Sequence, residues 1–496
     1  MYAIYTPIVA ITLTLLNSIN YFVGVYRQQP GEVYLGTTHY FEDYFFYLSQ
    51  FFQGAHGGWL TQNRYSSEPT AASILFWPNV MLGKIGGLFG FDPSVSYNIS
   101  VLLLSLALLL TLASLMRSVF AHNQTKALAG FILATTATSL LNRIWVNGAW
   151  MWYPFEQWKT PNFALDRLGS VPHQTLQTLL FLLAMTALSQ KRAIAQCCFL
   201  LLLTTLNPVM SAMFLIAAWV ASPRIKLVVQ SVGFLCIAWY YNALTNAQPH
   251  MQSKAWEAAD QTLTSPFFML LSIGPISLLG ILGAWIVRKH LRPIHVFSVA
   301  LLAVSYLLYF SPLPRLAGIS NSRVLFPGLW AAWGILAVEA VYYFKKPLIV
   351  VLVFLLLTLP TLRWEIQRKL VVKPHERIHL LYIPEDVYQA FAYLKNQRPR
   401  DDAVLANAGS HMDAMVPAFS GHTSVTGHPF ATIANEDKKR QADRFFTGGM
   451  AQEEALRWLT SLSIRYVLIT KYDRNPTYPF MTRLFSSPGA TVWSVP

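Results

Sequence analysis

Two adjacent carboxylates, Glu42 and Asp43, stand just after the first long apolar segment of the chain. A carboxylate held near a hydroxyl group can act as a general base. In a helix over residues 41–52, the apolar side chains share one face: Phe41, Tyr44, Phe45, Leu48 and Phe52. Asp43 and Tyr47 lie on the opposite face. We expect this helix to lie on a membrane surface, with its aromatic side in lipid and Asp43 at headgroup depth. The alternative is that the acid pair is only the solvated side of a surface helix.

A second group of reactive side chains is His375-Glu376-Arg377-Ile378-His379, which matches the H-E-x-x-H pattern of zinc proteases. That chemistry needs both histidines one turn apart on a helix, with the glutamate as general base. Pro374 and Pro384 flank the pattern, and Val371-Val372 favours an extended chain. A membrane-bound zinc metalloprotease through His375, Glu376 and His379 is therefore an alternative hypothesis, as is a membrane transporter.

The composition indicates a polytopic membrane protein. Of 496 residues, 54% are hydrophobic and only 12% are charged, about half the charged share of an average soluble domain. The net charge of +14 is dispersed in short loops between apolar runs, which favours a topological explanation over a nucleic-acid-binding surface. Three cysteines inside apolar runs (Cys197, Cys198 and Cys236) give neither a disulfide framework nor a metal-ligand spacing.

Hydropathy predicts about eleven membrane spans. They lie near residues 8–26, 96–116, 127–146, 173–189, 194–207, 209–221, 227–243, 267–287, 294–310, 324–344 and 347–362. Asn207-Pro208 is the expected break between two short helices. Residues 71–90 contain Pro78 and Lys84 and are interpreted as a second interfacial helix beside the one at 41–52.

The distribution of charge predicts the orientation of these spans. Alternate short loops collect eleven cations and no acidic residue: Arg117, Lys126, Lys191, Arg192, Arg224, Lys226, Arg288, Lys289, Arg292, Lys345 and Lys346. The positive-inside rule places this set in the cytoplasm. The N-terminus is then cytoplasmic, and both Asp43 and the C-terminal region lie outside, in a multi-pass protein of the cell membrane.

After Thr361 the composition becomes that of a soluble domain. We expect residues 1–362 to form the transmembrane catalytic domain and residues 363–496 to form an extracytoplasmic α/β domain. Helices are predicted at 384–394, 436–446 and 452–462, and buried strands at 403–406 and 464–470. Residues 407–433 are rich in glycine and histidine, which suits either a loop-borne site or tight turns.

Several short motifs stand out, mainly within residues 39–90 and 411–448: Asp43-x-x-x-Tyr47-Leu48, Gly58-Trp59-Leu60, Ser67-Glu68-Pro69, Leu82-Gly83-Lys84, Pro172-His173, Pro417-Ala418-Phe419-Ser420-Gly421, Gly427-His428 and Lys438 to Gly448. These motifs resemble those of the GT-C membrane glycosyltransferases, which include protein O-mannosyltransferases and the aminoarabinose transferases of lipid A. The similarity is closest to uncharacterised bacterial members. Elsewhere the similarity is architectural.

The resemblance implies an inverting transfer of a sugar from a polyprenyl-phosphate donor to an acceptor lipid, glycan or protein at the outer face of the membrane. Asp43 would be the catalytic base, with Glu42 beside it. Donor phosphate would be bound by external cations, namely Arg323, Arg315, Lys84 and Arg64. Substrate-binding residues would be Tyr47, Glu68, His173, Asp166 and His428. No cofactor is expected. Some members of the family use a metal held by a second acidic pair, but loop 147–172 has no such pair, so a divalent metal is not supported.

Overall fold

The computed structural model describes residues 2–156, 160–222, 225–371, 378–397, 401–474, 476 and 478–496. The chain forms two compact units. The first unit consists of Met1–Ile19, Val101–Thr245 and Lys254–Val371. The second unit consists of Asn20–Ser100, Asn246–Ser253 and Val372–Pro496. Residues 20–100, which carry the acid pair, and the C-terminal region therefore belong to the same unit, and the predicted domain boundary at residue 363 stays a prediction.

The N-terminal part of the chain is mainly helical. Its elements are α1 (Tyr2–Asn17), α2 (Ile19–Tyr26), β1 (Glu32–Tyr34), α3 (Phe41–Ala55), α4 (Trp77–Leu88) and α5 (Pro93–Val119). Both α4 and α5 begin with proline near their first position, where the missing N–H costs no hydrogen bond. The two helices predicted within residues 41–52 and 71–90 are confirmed as helices.

The middle of the chain begins with a helix and a hairpin. The elements are α6 (Gln124–Thr136), β2 (Leu141–Val146), β3 (Ala149–Pro154), α7 (Pro172–Ser189), α8 (Ala193–Thr204), α9 (Pro208–Ala221), α10 (Ile225–Thr245) and α11 (His250–Ala259). The predicted break at Asn207-Pro208 is confirmed, because Asn207 caps α9 by accepting a hydrogen bond from the backbone N–H of Met210.

The remaining helices of the first unit lie between residues 266 and 370. They are α12 (Pro266–Ile273), α13 (Pro275–Val287), α14 (Pro293–Tyr309), α15 (Leu313–Leu316), α16 (Leu329–Tyr343) and α17 (Pro347–Leu370). Residue 363 lies inside α17, which continues for two further turns.

The C-terminal region is an α/β structure, as predicted. Its elements are β4 (Tyr382–Pro384), α18 (Glu385–Asn396), β5 (Ala403–Leu405), α19 (Met412–Phe419), β6 (Thr423–Ser424), α20 (Asn435–Phe446), α21 (Gln452–Ser461), β7 (Ile464–Thr470), β8 (Thr482–Ser486) and β9 (Ala490–Ser494). Five strands form one sheet in the order β6-β5-β7-β9-β8. Strand β5 is parallel to β6 and β7, whereas β9 is antiparallel to β7 and β8.

Among the described residues, three helices are long and apolar enough to cross a membrane: α5, α10 from Leu227, and α17. The number rises to five if α1 with α2, and α12 with α13, each form one broken span. Four shorter apolar helices are α8, α9, α14 and α16. A 15-residue helix such as α16 is only about 22 Å long, less than a hydrocarbon core of about 30 Å. The predicted count of eleven spans is therefore not confirmed.

The predicted span at residues 127–146 is wrong in its second half. Helix α6 ends at Thr136, and Leu141–Val146 pairs in antiparallel register with Ala149–Pro154. The turn residues Asn147 and Gly148 have φ angles of 49° and 81°, as a two-residue Asn-Gly hairpin requires. Apolar residues are common to buried helices and hairpins, so hydropathy did not separate the two.

Helices α3 and α4 approach each other at two glycines. A Cβ atom on Gly54 would lie 1.9 Å from the carbonyl oxygen of Val80, and one on Gly83 would lie 2.2 Å from that of Phe51. No other residue type fits at these points. The two helices of the first loop thus form a closely packed pair that carries the acid pair at the start of α3.

Candidate active site around Asp43

The acid pair lies in the first turn of α3, where a negative charge is favoured by the helix dipole. The side chain of Asp43 is 47% exposed. The aromatic face of the helix is buried within the protein: Tyr44, Phe45 and Leu48 have no exposed surface, and Phe45 packs against Phe419. The prediction that this face lies in lipid is therefore wrong. An amphipathic pattern indicates only that one face of a helix avoids water. It does not distinguish lipid from protein as the apolar surroundings.

Two histidines flank Asp43. The Nε2 atom of His428 lies 3.6 Å from Oδ1 of Asp43. The Nε2 atom of His39 is 2.7 Å from the hydroxyl of Tyr97. Burial lowers the pKa of His39 to about 4, although the charge of Asp43 opposes the shift. His39 is therefore a neutral imidazole at physiological pH. No sequence pattern singled out His39, apart from its position just before the acid pair.

Two further carboxyl groups, Glu42 and Asp413, interact electrostatically. Glu42 accepts a hydrogen bond of 2.8 Å from the hydroxyl of Tyr40. Asp413, in the first turn of α19, is buried and accepts hydrogen bonds from the Thr426 hydroxyl and the Ala414 N–H. Burial raises the pKa of Asp413 to about 6, and the charge of Glu42 adds to this rise. Asp413 was not singled out from the sequence, although it lies in the glycine- and histidine-rich segment 407–433.

Tyr47 lies one helical turn after Asp43, as predicted from the spacing. Its ring packs 5.5 Å from the ring of Phe76 and 6.3 Å from that of His39. Phe76 has a φ of 57°, a left-handed conformation that is uncommon for a bulky residue and is found where the surroundings impose it. Tyr47 thus packs against Phe76 one helical turn after Asp43.

Glu68 forms an ion pair with the buried Lys438, with 2.5 Å between Oε2 and Nζ. Burial would raise the pKa of Glu68, but hydrogen bonds from Lys438 and Ser66 outweigh it and leave the pKa below its ordinary value. Burial lowers the pKa of Lys438, opposed by Glu68. The predicted substrate-binding carboxylate is therefore bound to a residue of α20.

The predicted phosphate-binding cations of the second unit also have protein partners. Arg64 forms an ion pair with the exposed Asp401. Lys84 donates hydrogen bonds to the carbonyl oxygens of Gly57 and Gly58 and lies 4.0 Å from the centroid of the Trp59 ring. These contacts of Lys84 stabilise the turn that follows α3. A role in phosphate binding remains a prediction for both cations.

The other predicted site residues belong to the first unit. Arg323 is paired with Glu257, and Arg315 is exposed on the short helix α15. Asp166 lies 3.0 Å from Arg368 and 3.6 Å from Lys369. His173 is buried in the first turn of α7.

The first unit also holds a buried polar group that the sequence did not predict. Glu365 accepts hydrogen bonds from the hydroxyl of Thr138 and the N–H groups of Ala164 and Leu165. Arg167 donates to the carbonyl oxygen of Ala137. Together they fix the segment between β3 and α7 that carries Asp166.

The zinc-protease pattern lies largely outside the described residues, since His375 and Glu376 are not among them. His379 belongs to a 3₁₀ turn, contacts the carbonyl oxygen of Ser410 and stacks on Tyr472. In the part of the chain that the structure describes, no group of three or more His, Cys, Asp or Glu could hold a metal ion.

The apolar helices are those of a membrane protein, and comparison with solved structures shows that its fold is GT-C-like. No protein-family model matches the sequence, and no curated protein matches it. Solved structures do. ArnT from Cupriavidus metallidurans bound to undecaprenyl phosphate aligns with a TM-score of 0.52 and 11% identity, over 98% of this chain and 97% of that one.

Two further similar structures support the same fold. The arabinofuranosyltransferase AftD from Mycobacteria aligns with a TM-score of 0.56 and 13% identity over 99% of this chain, which spans 40% of AftD. The oligosaccharyltransferase of Archaeoglobus fulgidus, tethered to an acceptor peptide, gives a TM-score of 0.52 and 11% identity over 99% of this chain and 73% of that one. All three are GT-C glycosyltransferases.

Proposed function

We propose that this protein is a glycosyltransferase that moves a sugar from a polyprenyl-phosphate donor to an acceptor lipid, glycan or protein at the outer face of the membrane. The observation that carries the proposal is the half-exposed carboxylate of Asp43, placed beside two histidines in a GT-C-like fold. Such a carboxylate is accessible to substrate, and an accessible carboxylate can act as a general base.

The proposed reaction is a single displacement. Asp43 removes the proton of an acceptor hydroxyl as its oxygen forms a bond to the anomeric carbon of the donor sugar. The bond between that carbon and the donor phosphate oxygen breaks, and the phosphate leaves with the electron pair. The configuration at the anomeric carbon is inverted. Cationic groups such as Arg323, Arg315, Arg64 or Lys84 would stabilise the leaving phosphate.

The acid pair supplies the direct test. Asp43→Asn keeps the shape of the side chain but cannot accept the proton, so turnover should fall by roughly 100- to 10,000-fold. Glu42→Gln should have a milder effect, because its carboxylate accepts a hydrogen bond from Tyr40 within the protein. Transfer from polyprenyl-phosphate sugars is measured at equal expression, with unfolding temperature as the check on folding. Near-normal transfer by Asp43→Asn would contradict the proposal.

The donor class and the cofactor require separate measurements. A nucleotide sugar offered in place of the lipid-linked donor should give no transfer, and a chelator should leave turnover unchanged if no metal takes part. Stoichiometric zinc that is lost in His375→Ala, together with peptide cleavage, would instead support the metalloprotease. Uptake of a solute without any transfer product would support a transporter.

A further inference from the structure

The two ring nitrogens of His428 have different partners. Nδ1 accepts hydrogen bonds from the backbone N–H groups of Phe430 at 3.2 Å and Ala431 at 3.1 Å. An atom that accepts two such bonds carries no proton, so the ring proton lies on Nε2. Nε2 is the atom that lies 3.6 Å from Oδ1 of Asp43. The ring therefore presents an N–H group towards the carboxylate.

The orientation of this ring is fixed by its surroundings. The side chain of His428 is only 8% exposed, and its ring packs 4.6 Å from the ring of Phe46. Gly427 has a φ of 122°, and a Cβ atom there would lie 2.9 Å from the carbonyl oxygen of Asp413. The Thr432 N–H donates to the carbonyl oxygen of His428. His428 thus lies in a short, closed loop that leaves little rotational freedom.

That loop is bound to the chain that follows α3. The Thr432 hydroxyl donates to the carbonyl oxygen of Tyr65 at 2.6 Å, and Asn63 donates to that of Ala431 at 2.7 Å. A few residues further on, Lys438 holds Glu68. The loop that carries His428 is therefore joined to the segment after α3, which also belongs to the second unit. Several hydrogen bonds and one ion pair make this connection.

His39 does not serve the same purpose. Its Nε2 atom is engaged with the hydroxyl of Tyr97, and the ring is part of an aromatic cluster with Tyr44 and Tyr97. His428 differs from His39 in this respect. Its Nε2 atom bears the ring proton and lies next to a carboxylate oxygen.

We propose that His428 is a positioning residue for Asp43, which extends the proposed glycosyltransferase function and rests on it. Its Nε2–H group lies next to Oδ1 and orients the carboxylate for proton transfer from the acceptor hydroxyl. The distance of 3.6 Å exceeds a normal hydrogen bond, and such contacts commonly shorten when substrate binds. The C-terminal region is then part of the active site, since it supplies the group that orients the base.

Two matched substitutions test this assignment. His428→Gln places an amide N–H close to the position of Nε2, whereas His428→Asn places its amide near Nδ1 and leaves nothing to contact Asp43. We expect His428→Asn to lower kcat by roughly 10- to 100-fold with little change in KM, because the base is misplaced. His428→Gln should keep most of the kcat. Thermal unfolding of both variants shows whether a lower kcat results instead from disruption of the loop that carries His428.

The outcomes distinguish this inference from the proposed function. In an Asp43→Asn background, His428→Asn should have no further effect, since residues that act as a unit are not additive. A fully active Asp43→Asn variant overturns the proposed function itself. An inactive Asp43→Asn variant together with a normal kcat in His428→Asn overturns only the role of His428. A rise in KM alone in His428→Asn would make His428 a substrate ligand and also overturns that role.

If both His428 variants unfold, nitrogen-15 NMR of labelled histidine decides the question. In the wild type the assigned His428 ring should be the Nε2–H tautomer, and its Nε2 resonance should shift in Asp43→Asn. An Nδ1–H tautomer, or a resonance that does not respond to Asp43→Asn, would overturn the inference.

Discussion

Arg323 and Glu257 form a two-point ion pair in which the Nε atom of Arg323 lies 3.0 Å from Oε1 and 3.1 Å from Oε2 of Glu257. Glu257 is mostly buried, whereas about half of the Arg323 side chain is exposed. The backbone N–H of Ser320 also donates to Glu257. The guanidinium group predicted to bind donor phosphate is thus already bound by a carboxylate, so a phosphate group would have to compete with Glu257.

This pair gives opposite predictions for two variants. Arg323→Ala should weaken donor binding by about 2 kcal/mol or less, because the group is half exposed. Glu257→Gln should strengthen donor binding, since it removes the competing charge. Donor affinity is measured by titrating the solubilised protein with a polyprenyl-phosphate sugar, with Arg315→Ala compared in the same way. Equal affinity in all variants would remove Arg323 from the site.

The buried ion pair of Glu68 and Lys438 should stabilise the second unit. Glu68→Gln leaves a buried ammonium group without its counter-charge and should cost roughly 1–3 kcal/mol, less than for a fully buried pair because Glu68 is partly exposed. Lys438→Met should cost less, because the remaining carboxylate reaches water, and the double variant should recover part of the loss. Stability is measured by thermal unfolding in detergent.

A control for this prediction lies on the same helix. Arg440 and Asp437 form an exposed ion pair, so Arg440→Met should change the unfolding temperature little. A loss for Arg440→Met as large as that for Glu68→Gln would show that helix α20, rather than the buried pair, is sensitive to substitution.

The raised pKa of Asp413 predicts a pH-dependent stability. Its pKa is about 6 in the folded protein and about 3.9 in an unfolded chain. The folded state therefore binds the proton more tightly, and this group's contribution to stability is lost as pH rises from about 4 to about 6. Asp413→Asn should remove that loss. Between pH 4 and pH 7 its free energy of unfolding should rise above that of wild type by up to roughly 3 kcal/mol.

The variant must be compared with wild type at each pH, because the pKa shift of His39 changes the stability with pH in the opposite direction. Its pKa is lowered to about 4 in the folded protein, so its contribution to stability falls as pH decreases from about 6.5 to about 4. Unfolding temperatures of wild type and Asp413→Asn at pH 4.5 and 7.5 isolate the Asp413 effect. The same pH dependence in both proteins would contradict the assignment of the shift to Asp413.

The glycines between α3 and α4 give a prediction about packing. A methyl group at Gly83 would overlap the carbonyl oxygen of Phe51, so Gly83→Ala should force the helices apart and cost roughly 1–3 kcal/mol or more. Gly54→Ala should behave similarly. Gly449→Ala is the control, because the nearest atom to its added Cβ would be 3.4 Å away. An unchanged unfolding temperature in Gly83→Ala would contradict the close contact of the two helices.

Local pattern by itself determined many elements of this protein. The helix of the acid pair, the break at Asn207-Pro208 and the strand Ile464–Thr470 were predicted because apolar periodicity, caps and β-branched runs act within a few residues. The GT-C-like architecture was also predicted from short motifs, and similar solved structures confirm it. The hairpin at Leu141–Pro154 was missed, because continuous apolar runs fit helices and strands alike.

Only the tertiary structure decided which residues meet. Asp43 and His428 are 385 positions apart, and Glu68 and Lys438 are 370 apart. The local sequence around these four residues does not indicate such contacts, because they depend on how the whole chain packs. The same holds for burial: the aromatic face of α3 is covered by protein and not lipid, and Asp413 is enclosed. Amphipathic spacing specifies that a face must avoid water, and long-range packing determines what covers it.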